Sequence, residues 1–152
     1  MAAPNKRAAR ILLVEDNPAD QHATLRAFKK SKLCNEVSVV EDGRAALDYL
    51  LHEGEYAAPN QPPRPDLILL DLNLPKLDGR QVIETLKAHA ELKIIPVVVL
   101  TTSSEEEDIV RSYGLGVNSF VTKPVEAKTF VKTVLELEHY WMQIVVLPPN
   151  NP

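Results

Sequence analysis

The stretch that decides the fold reads LILLD, residues 67–71: four apolar side chains followed by one carboxylate. Three other segments share this design of an apolar run ending on polar residues: ILLVED at 11–16, VVVLT at 97–101 and FVTK at 120–123. Short apolar runs of this kind are typical of strands buried on both faces of a parallel sheet. Because the carboxyl ends of parallel strands share one edge, we expect these polar residues to converge there, where open α/β sheets bind ligands.

The segments between these runs have the apolar spacing expected of helices. Strands and helices therefore alternate, which indicates a parallel sheet with right-handed crossovers and helices on both faces. Asn17 is expected to cap the first helix, whose first residue is Pro18. The predicted strands are residues 10–15, 36–40, 66–70, 96–101 and 119–122, and the predicted helices are residues 18–30, 43–51, 79–89, 105–113 and 127–141.

The composition is that of an ordinary globular domain, with 152 residues, 45% hydrophobic and 25% charged. The net charge of -4 gives no broad electrostatic reason to bind nucleic acid. The single cysteine, Cys34, excludes an internal disulfide and suits the cytosol. The apolar stretches are too short for a membrane span or a secretory signal. We therefore expect one soluble, cytoplasmic domain with neither nucleic-acid nor membrane partners.

Three segments depart from the alternating pattern. Residues 1–9 are expected to be a flexible lead-in to a folded domain at 10–142, and residues 143–152 an apolar and then proline-rich tail. Residues 53–65 carry four prolines, so they are predicted to be a loop with neither strand nor helix, longer than a common connection. A surface insertion is the favoured interpretation of this loop, and contact with a partner is the alternative.

The carboxylates at the strand ends indicate metal-assisted phosphoryl transfer. Glu15, Asp16 and Asp71 would repel one another unless protonated or neutralised by a cation, and their hard oxygens favour Mg²⁺ over zinc or copper. A cation held in this way keeps positions open for a phosphoryl oxygen. Asp71 could then attack phosphorus, and Lys123 and Thr101 could neutralise the transferred group.

Each of these residues alone is a weak signal, since aspartates after strands often form turns and a lone lysine is usually a solvated charge. The joint pattern is stronger because four strand–helix junctions contribute complementary groups. Rival classes fit less well. An aspartyl-nucleophile phosphatase would need a second acid where Asn73 stands, and a nucleotide-binding domain would need a glycine-rich turn at residues 17–20. A zinc enzyme would need clustered rather than scattered histidines.

Four motifs resemble the receiver domain of two-component response regulators: LLVEDNP at 12–18, LILLDLNLPKLDG at 67–79, VVVLTTS at 97–103 and FVTKP at 120–124. The resemblance extends over about residues 10–137. It implies a flavodoxin-like, doubly wound α/β fold, with a parallel five-stranded sheet of order 2-1-3-4-5 and five helices. It also implies a signalling protein that catalyses its own phosphorylation rather than an enzyme in the usual sense.

The resemblance assigns the metal and acceptor roles to particular residues. Asp71 would accept the phosphoryl group, and Asp16 and the backbone carbonyl of Asn73 would bind Mg²⁺ directly, with Glu15 acting mainly through water. Asn73 and Ser103 would tune self-dephosphorylation. Because neither is an obvious general base for water, we predict slow hydrolysis.

The resemblance also implies a conformational switch beside the acceptor. Thr101 and Lys123 would contact the phosphoryl group, and the peptide bond before Pro124 would be cis. Phosphorylation would draw Thr101 inward and let Phe120 rotate into the vacated space, so that a surface near the last strand and helix changes. Many members of the family carry tyrosine where this chain has Phe120.

The signal is expected to leave through the C-terminal part of the chain. Few residues follow Val125, so we expect a stand-alone receiver without a DNA-binding or catalytic effector domain. The last helix and the tail carry surplus apolar residues, which either fold back over the domain or join the last strand in a homodimer surface. The candidate dimer residues are Val131, Leu135, Met142, Ile144 and Val146.

The kinase partner is suggested by a narrower resemblance. The loop at 53–65, the tail and the run DLNLPKLDGR at 71–80 look most similar to small regulators that serve bacterial, including cyanobacterial, phytochrome-type histidine kinases. The donor would then be a phosphohistidine on a light-sensing kinase. The alternative is a receiver-fold interaction module that phosphorylation does not regulate, and the intact acidic set argues against it.

Overall fold

The computed structural model describes residues 9–30, 35–72, 74, 76, 78–102, 114, 117 and 119–135. Within these residues it has five strands and four helices. The strands are β1 (Ala9–Val14), β2 (Asn35–Val40), β3 (Leu67–Asp71), β4 (Val97–Thr101) and β5 (Ser119–Thr122). The helices are α1 (Pro18–Lys30), α2 (Gly43–Leu51), α3 (Gly79–Lys87) and α4 (Ala127–Leu135). In this part of the chain, every helix is too short or too polar to span a membrane.

The strands form one parallel sheet in the order β2-β1-β3-β4-β5, which confirms the predicted topology. The register aligns the carboxyl ends of four strands. The aligned pairs are Val14 with Leu70, Asp71 with Leu100, and Thr101 with Thr122. Consequently the residue after β1 and the last residues of β3, β4 and β5 lie at nearly the same level of one sheet edge.

Helices cover both faces of the sheet, so alternate residues of each strand enter different cores. On one face, Leu12, Ile68 and Val97 pack against apolar residues of α2 and α3. On the other face, strand residues pack beneath α1 and α4, where the rings of Phe28 and Phe130 lie with centroids 4.5 Å apart. Burial on both faces explains why β3 and β4 are apolar throughout, because each buried large aliphatic side chain stabilises the fold by about 1.5–3 kcal/mol.

The described elements begin and end within two residues of their predicted positions, apart from α4, which is described only to Leu135. The predicted helix at 105–113, residues 136–141 of the last helix, Cys34, and the lead-in and tail segments at 1–8 and 143–152 lie outside the described residues.

The prediction for residues 53–65 was wrong in one respect, because the segment contains a 3-10 turn at Gly54–Tyr56. The first proline is Pro59, so the preceding residues keep the amide groups that a turn needs. Gly54 takes a left-handed φ of 57°, and the ring of Tyr56 lies 5.1 Å from that of Tyr49. The rest of the segment is an irregular and largely exposed loop, in which the Ala58–Pro59 bond is cis.

Candidate functional site

Three carboxylates meet at the carboxyl edge of the sheet. One oxygen each of Glu15, Asp16 and Asp71 lies within 4.8 Å of the other two. Asp71 is the last residue of β3 and is buried, Glu15 follows β1 and is fully buried, and Asp16 is exposed. The strand register produces this grouping, since Val14 pairs with Leu70 and so brings the residues after each of them to the same level.

Lys123 lies among carboxylates directly after β5. Its Nζ donates a hydrogen bond to Asp71 Oδ2 at 2.9 Å and another to Asp20 Oδ2 at 2.9 Å. It also forms an ion pair with Glu15 Oε1 at 2.8 Å. The backbone amide of Lys123 donates to the carbonyl of Thr101 at 2.7 Å, which continues the pairing of β5 with β4 and places the side chain over the acidic group.

Burial dominates the protonation chemistry of Glu15. Loss of water raises the pKa of its carboxyl from 4.5 to about 7, although the bond to Lys123 opposes the rise. Its Oε2 accepts a hydrogen bond from the amide of Asn17 at 3.2 Å, and its buried Oε1 is paired with the ammonium of Lys123 at 2.8 Å. A fully buried carboxylate needs partners of this kind, because water cannot solvate its charge.

The surroundings of Lys123 favour its charged form, whereas those of Glu15 favour its neutral form. Burial alone would lower the pKa of its ammonium, but hydrogen bonds to Glu15, Asp71 and Asp20 outweigh burial and raise the pKa above its ordinary value. The side chain is therefore a permanently charged donor at neutral pH. A fixed positive charge beside Asp71 is what an incoming phosphoryl group needs to have its oxygens neutralised.

The other predicted switch residues lie beside the acidic group. Thr101 is buried at the end of β4, and its register partner is the exposed Thr122 of β5. Phe120, two residues before Thr122, is half-buried and packs against the core formed with α2 and α3. The Lys123–Pro124 peptide bond is cis.

The chain segment between Asp71 and α3 is shaped by one close backbone approach. A Cβ atom at Gly79 would lie 2.8 Å from the Cα of Leu72 and 2.9 Å from the carbonyl oxygen of Asp71, so only glycine fits. The amide of Gly79 donates to the carbonyl of Leu72 at 3.0 Å. Asp78 caps α3, since its side chain accepts a hydrogen bond from the backbone amide of Gln81. The side chain of Gln81 in turn accepts one from the backbone amide of Asp78, which completes a capping box. Together these contacts hold the connection that follows Asp71.

A second contact ties this connection to α2. Lys76 has a left-handed φ of 67°, a conformation that costs most side chains energy. Its ammonium lies 3.5 Å from Asp42 Oδ2. Asp42 caps α2, since its other carboxylate oxygen accepts from the amide of Ala45 at 2.7 Å.

The donor set suits a hard divalent cation. Glu15, Asp16 and Asp71 offer only oxygen, which is the chemistry of Mg²⁺, Mn²⁺ or Ca²⁺ sites rather than of zinc sites. Their oxygens lie within 4.8 Å of one another, so one ion could be held among them.

Several predicted site residues lie outside the described residues: Asn73, Ser103, Met142, Ile144 and Val146. Of the other two candidate dimer residues, Val131 is half-buried in α4, and Leu135 is the last residue of that helix.

Sequence reasoning missed Asp20 as a member of the site. It sits in the first turn of α1, where its amide donates to Asn17 Oδ1 at 2.9 Å in the predicted helix cap. Its position four residues after Asp16 could have indicated this role, because an acidic side chain in the first turn of α1 can face the edge of the sheet. Gln21 was missed too, and its side-chain Nε2 donates to the backbone carbonyl of Glu15 at 2.7 Å and to Glu41 Oε2 at 3.1 Å.

Comparison with known proteins agrees with this geometry. Residues 11–135 match the family model described as the response regulator receiver domain. Response regulator Rcp1 of Synechocystis sp. is 47% identical over 138 residues, which cover 91% of this chain and 92% of that protein. The solved Mn²⁺-bound form of Rcp1 is 47% identical, covers 92% of this chain and 99% of its own, and superposes with a TM-score of 0.69.

Two further solved structures are similar to this chain. The bacteriophytochrome response regulator RtBRR is 46% identical with a TM-score of 0.84, covering 96% of this chain and 85% of its own. The phosphorylated cyanobacterial phytochrome response regulator RcpA is 47% identical with a TM-score of 0.71, covering 90% of this chain and 95% of its own. The fold, the acidic edge and these similarities lead to one conclusion: the chain belongs to the response regulator receiver domain family.

Proposed function

We propose that this protein relays a signal by accepting a phosphoryl group on Asp71 from the phosphohistidine of a sensor histidine kinase. One observation carries the assignment: the carboxylate of Asp71 lies 2.9 Å from the ammonium of Lys123 and within 4.8 Å of the oxygens of Glu15 and Asp16. The carboxyl edge of the sheet thus holds a nucleophile, Asp71, and a fixed positive charge, Lys123. It also holds the carboxylates that could bind a metal cation. This is the set that phosphoryl transfer requires.

The chemical step has a simple balance. A carboxylate oxygen of Asp71 forms a bond to phosphorus while the bond from phosphorus to the donor's imidazole nitrogen breaks. The freed imidazole takes up a proton, and the product is an acyl phosphate on Asp71. Lys123 neutralises one oxygen of the transferred group, and the hydroxyl of Thr101 donates to another.

A divalent cation would bind Asp16 and Asp71 directly, with Glu15 acting mainly through water and the carbonyl of Asn73 completing the protein ligands. Mg²⁺ is the proposed ion because hard carboxylate oxygens and open positions suit it, and the Mn²⁺-bound form of the relative Rcp1 supports a divalent ion. When bound, the ion spreads the negative charge that develops on the phosphoryl oxygens.

Phosphorylation would be read out through β4 and β5. Thr101 would move toward the new phosphoryl group, and Phe120, now half-buried, would turn inward. The surface formed by β5 and α4 would change as a result. A phosphorylation-independent interaction module is the alternative, and the contact of Asp71 with Lys123 inside the acidic group argues against it.

The experiment that tests this function measures intact mass after incubation with acetyl phosphate and Mg²⁺. The wild type should gain one phosphoryl group, and Asp71→Asn should gain none. No gain in the wild type, or an equal gain in both proteins, would overturn the proposal.

We propose a phytochrome-type kinase as the donor, because RtBRR and RcpA, both similar over most of this chain, are phytochrome response regulators. Transfer from such a kinase should be faster than transfer from an unrelated histidine kinase at equal concentration. Self-dephosphorylation should be slow, with radiolabel decaying over minutes to hours. Loss within seconds would contradict the roles proposed for Asn73 and Ser103.

A second copy of the chain is proposed to bind through β5, the last helix and the tail. The surplus apolar residues that the sequence places in the last helix and the tail support this, since apolar patches on a protein surface mark interfaces. The mass in solution, measured with and without phosphorylation, tests the dimer. A monomeric mass under both conditions would eliminate it.

A further inference from the structure

Lys123 is held from its solvent side by a carboxylate that the phosphoryl-transfer mechanism does not use. Among the described residues, the contacts of its Nζ with carboxylates are to Glu15 at 2.8 Å, Asp71 at 2.9 Å and Asp20 at 2.9 Å. An ammonium group has three N–H donors. The three carboxylates therefore occupy all three N–H groups of Lys123. The ammonium can donate to a phosphoryl oxygen only after it has broken one of these contacts.

The three carboxylates differ in how well water can solvate them once Lys123 moves away. The side chain of Glu15 is 0% exposed and that of Asp71 8%, so water cannot easily take the place of the lysine at either. The side chain of Asp20 is 37% exposed, so water can solvate it once the ion pair opens. Asp20 is thus the partner that Lys123 can leave at the lowest cost.

Asp20 is also fixed in place independently of Lys123. It lies in the first turn of α1, and its backbone amide bonds to the cap residue Asn17 at 2.9 Å. A negative charge near a helix N-terminus is favourable in itself. The carboxylate therefore stays near the site whether or not Lys123 contacts it.

We propose that Asp20 is a positioning residue that holds Lys123 in the unphosphorylated protein and competes with the phosphoryl group for the ammonium. The inference rests on the proposed function, because the competitor is a phosphoryl group on Asp71. When that group arrives, the charge of Asp71 is replaced by that of the phosphoryl oxygens. Lys123 then turns toward these oxygens, the Asp20 contact opens, and water solvates the freed carboxylate.

Removal of the charge of Asp20 should therefore strengthen the binding of a phosphoryl analogue. A partly exposed ion pair is worth a fraction of a kcal/mol to about 1 kcal/mol, which corresponds to an effect of about two- to fivefold. We expect Asp20→Asn to bind beryllofluoride about two- to fivefold more tightly than the wild type at saturating Mg²⁺. A fold defect cannot produce such a gain, because partial unfolding only weakens binding.

The experiment titrates beryllofluoride by fluorine NMR and calorimetry at saturating Mg²⁺. Glu41→Gln is the matched control, because it removes the same charge from an exposed carboxylate near α1 that accepts from Gln21. Its affinity should remain that of the wild type. Near 1 M salt, where the Debye length falls to about 3 Å, the difference in beryllofluoride affinity between Asp20→Asn and the wild type should become smaller.

The possible outcomes separate the two proposals. An affinity of Asp20→Asn equal to or below that of the wild type overturns the role of Asp20. An equal gain in Glu41→Gln also overturns it, because the effect would then come from net charge rather than from the Lys123 contact. If the wild type itself binds no beryllofluoride, or Asp71→Asn binds it equally well, the proposed function fails instead.

Discussion

Replacement of Glu15 by glutamine should remove a pH dependence of stability that the buried carboxyl creates. In the metal-free protein, burial raises the pKa of Glu15 from 4.5 to about 7. A pKa that is higher in the folded state means that the folded protein binds the proton more tightly. Glu15 therefore contributes stability that is fully present below about pH 4.5 and is lost as the pH rises through about 7.

The size of the effect follows from the shift. Each pKa unit corresponds to about 1.4 kcal/mol, so ionisation of Glu15 lowers the free energy of unfolding by up to about 3 kcal/mol. The residue is fully buried, and solvent therefore screens little of this cost. The ammonium of Lys123, 2.8 Å from Oε1, keeps the loss from being larger.

Urea unfolding with a chelator present, at about pH 5 and about pH 8, measures the effect. From pH 5 to pH 8, the free energy of unfolding of the wild type should fall by about 2–3 kcal/mol more than that of Glu15→Gln. Added Mg²⁺ should flatten the wild-type profile, because a cation on the acidic cluster stabilises the ionised carboxylates. A difference between the two proteins that stays constant within about 0.5 kcal/mol over this range would refute the reasoning.

Three other substitutions test the packing around the site. Gly79→Ala forces a Cβ within 2.8 Å of the Leu72 backbone, so it should cost about 1–3 kcal/mol and slow phosphorylation by displacing the connection after β3. Phe130→Ala empties a buried position against Phe28 and should cost about 3–5 kcal/mol in urea unfolding. Asp42→Ala removes the cap of α2 and should cost about 1 kcal/mol, read from the same unfolding curves.

Exposed neighbours serve as controls for these variants. Lys132→Ala, on the exposed side of α4, and Glu41→Ala, the residue before the α2 cap, should each change stability by less than about 0.5 kcal/mol. A loss below about 1 kcal/mol for Phe130→Ala would contradict the close packing of α1 on α4. Normal phosphorylation in Gly79→Ala would show that the connection after Asp71 tolerates a shift.

The strands and their common polar edge could be predicted because their physical causes are local. Burial on both faces demands continuous apolar runs such as residues 67–70, and each run ends at a polar residue at the carboxyl end of its strand. Parallel pairing then brings those ends to one edge whatever the detailed packing. Asp71 and Lys123 could thus be placed together from the chain alone, although 52 residues separate them.

Other features depend on contacts between distant segments, and only the tertiary structure decided them. The rise in the pKa of Glu15 comes from neighbours that exclude water, and the contact of Asp20 with Lys123 joins residues 103 positions apart. The need for glycine at position 79 arises from the backbone of Leu72, and the left-handed turn at Lys76 is not a conformation that its residue type favours. The sequence by itself determined which strand-end groups reach the edge, because strand burial is a local pattern. The tertiary structure decided which of them touch and which keep their charge, because distance and exclusion of water depend on the assembled fold.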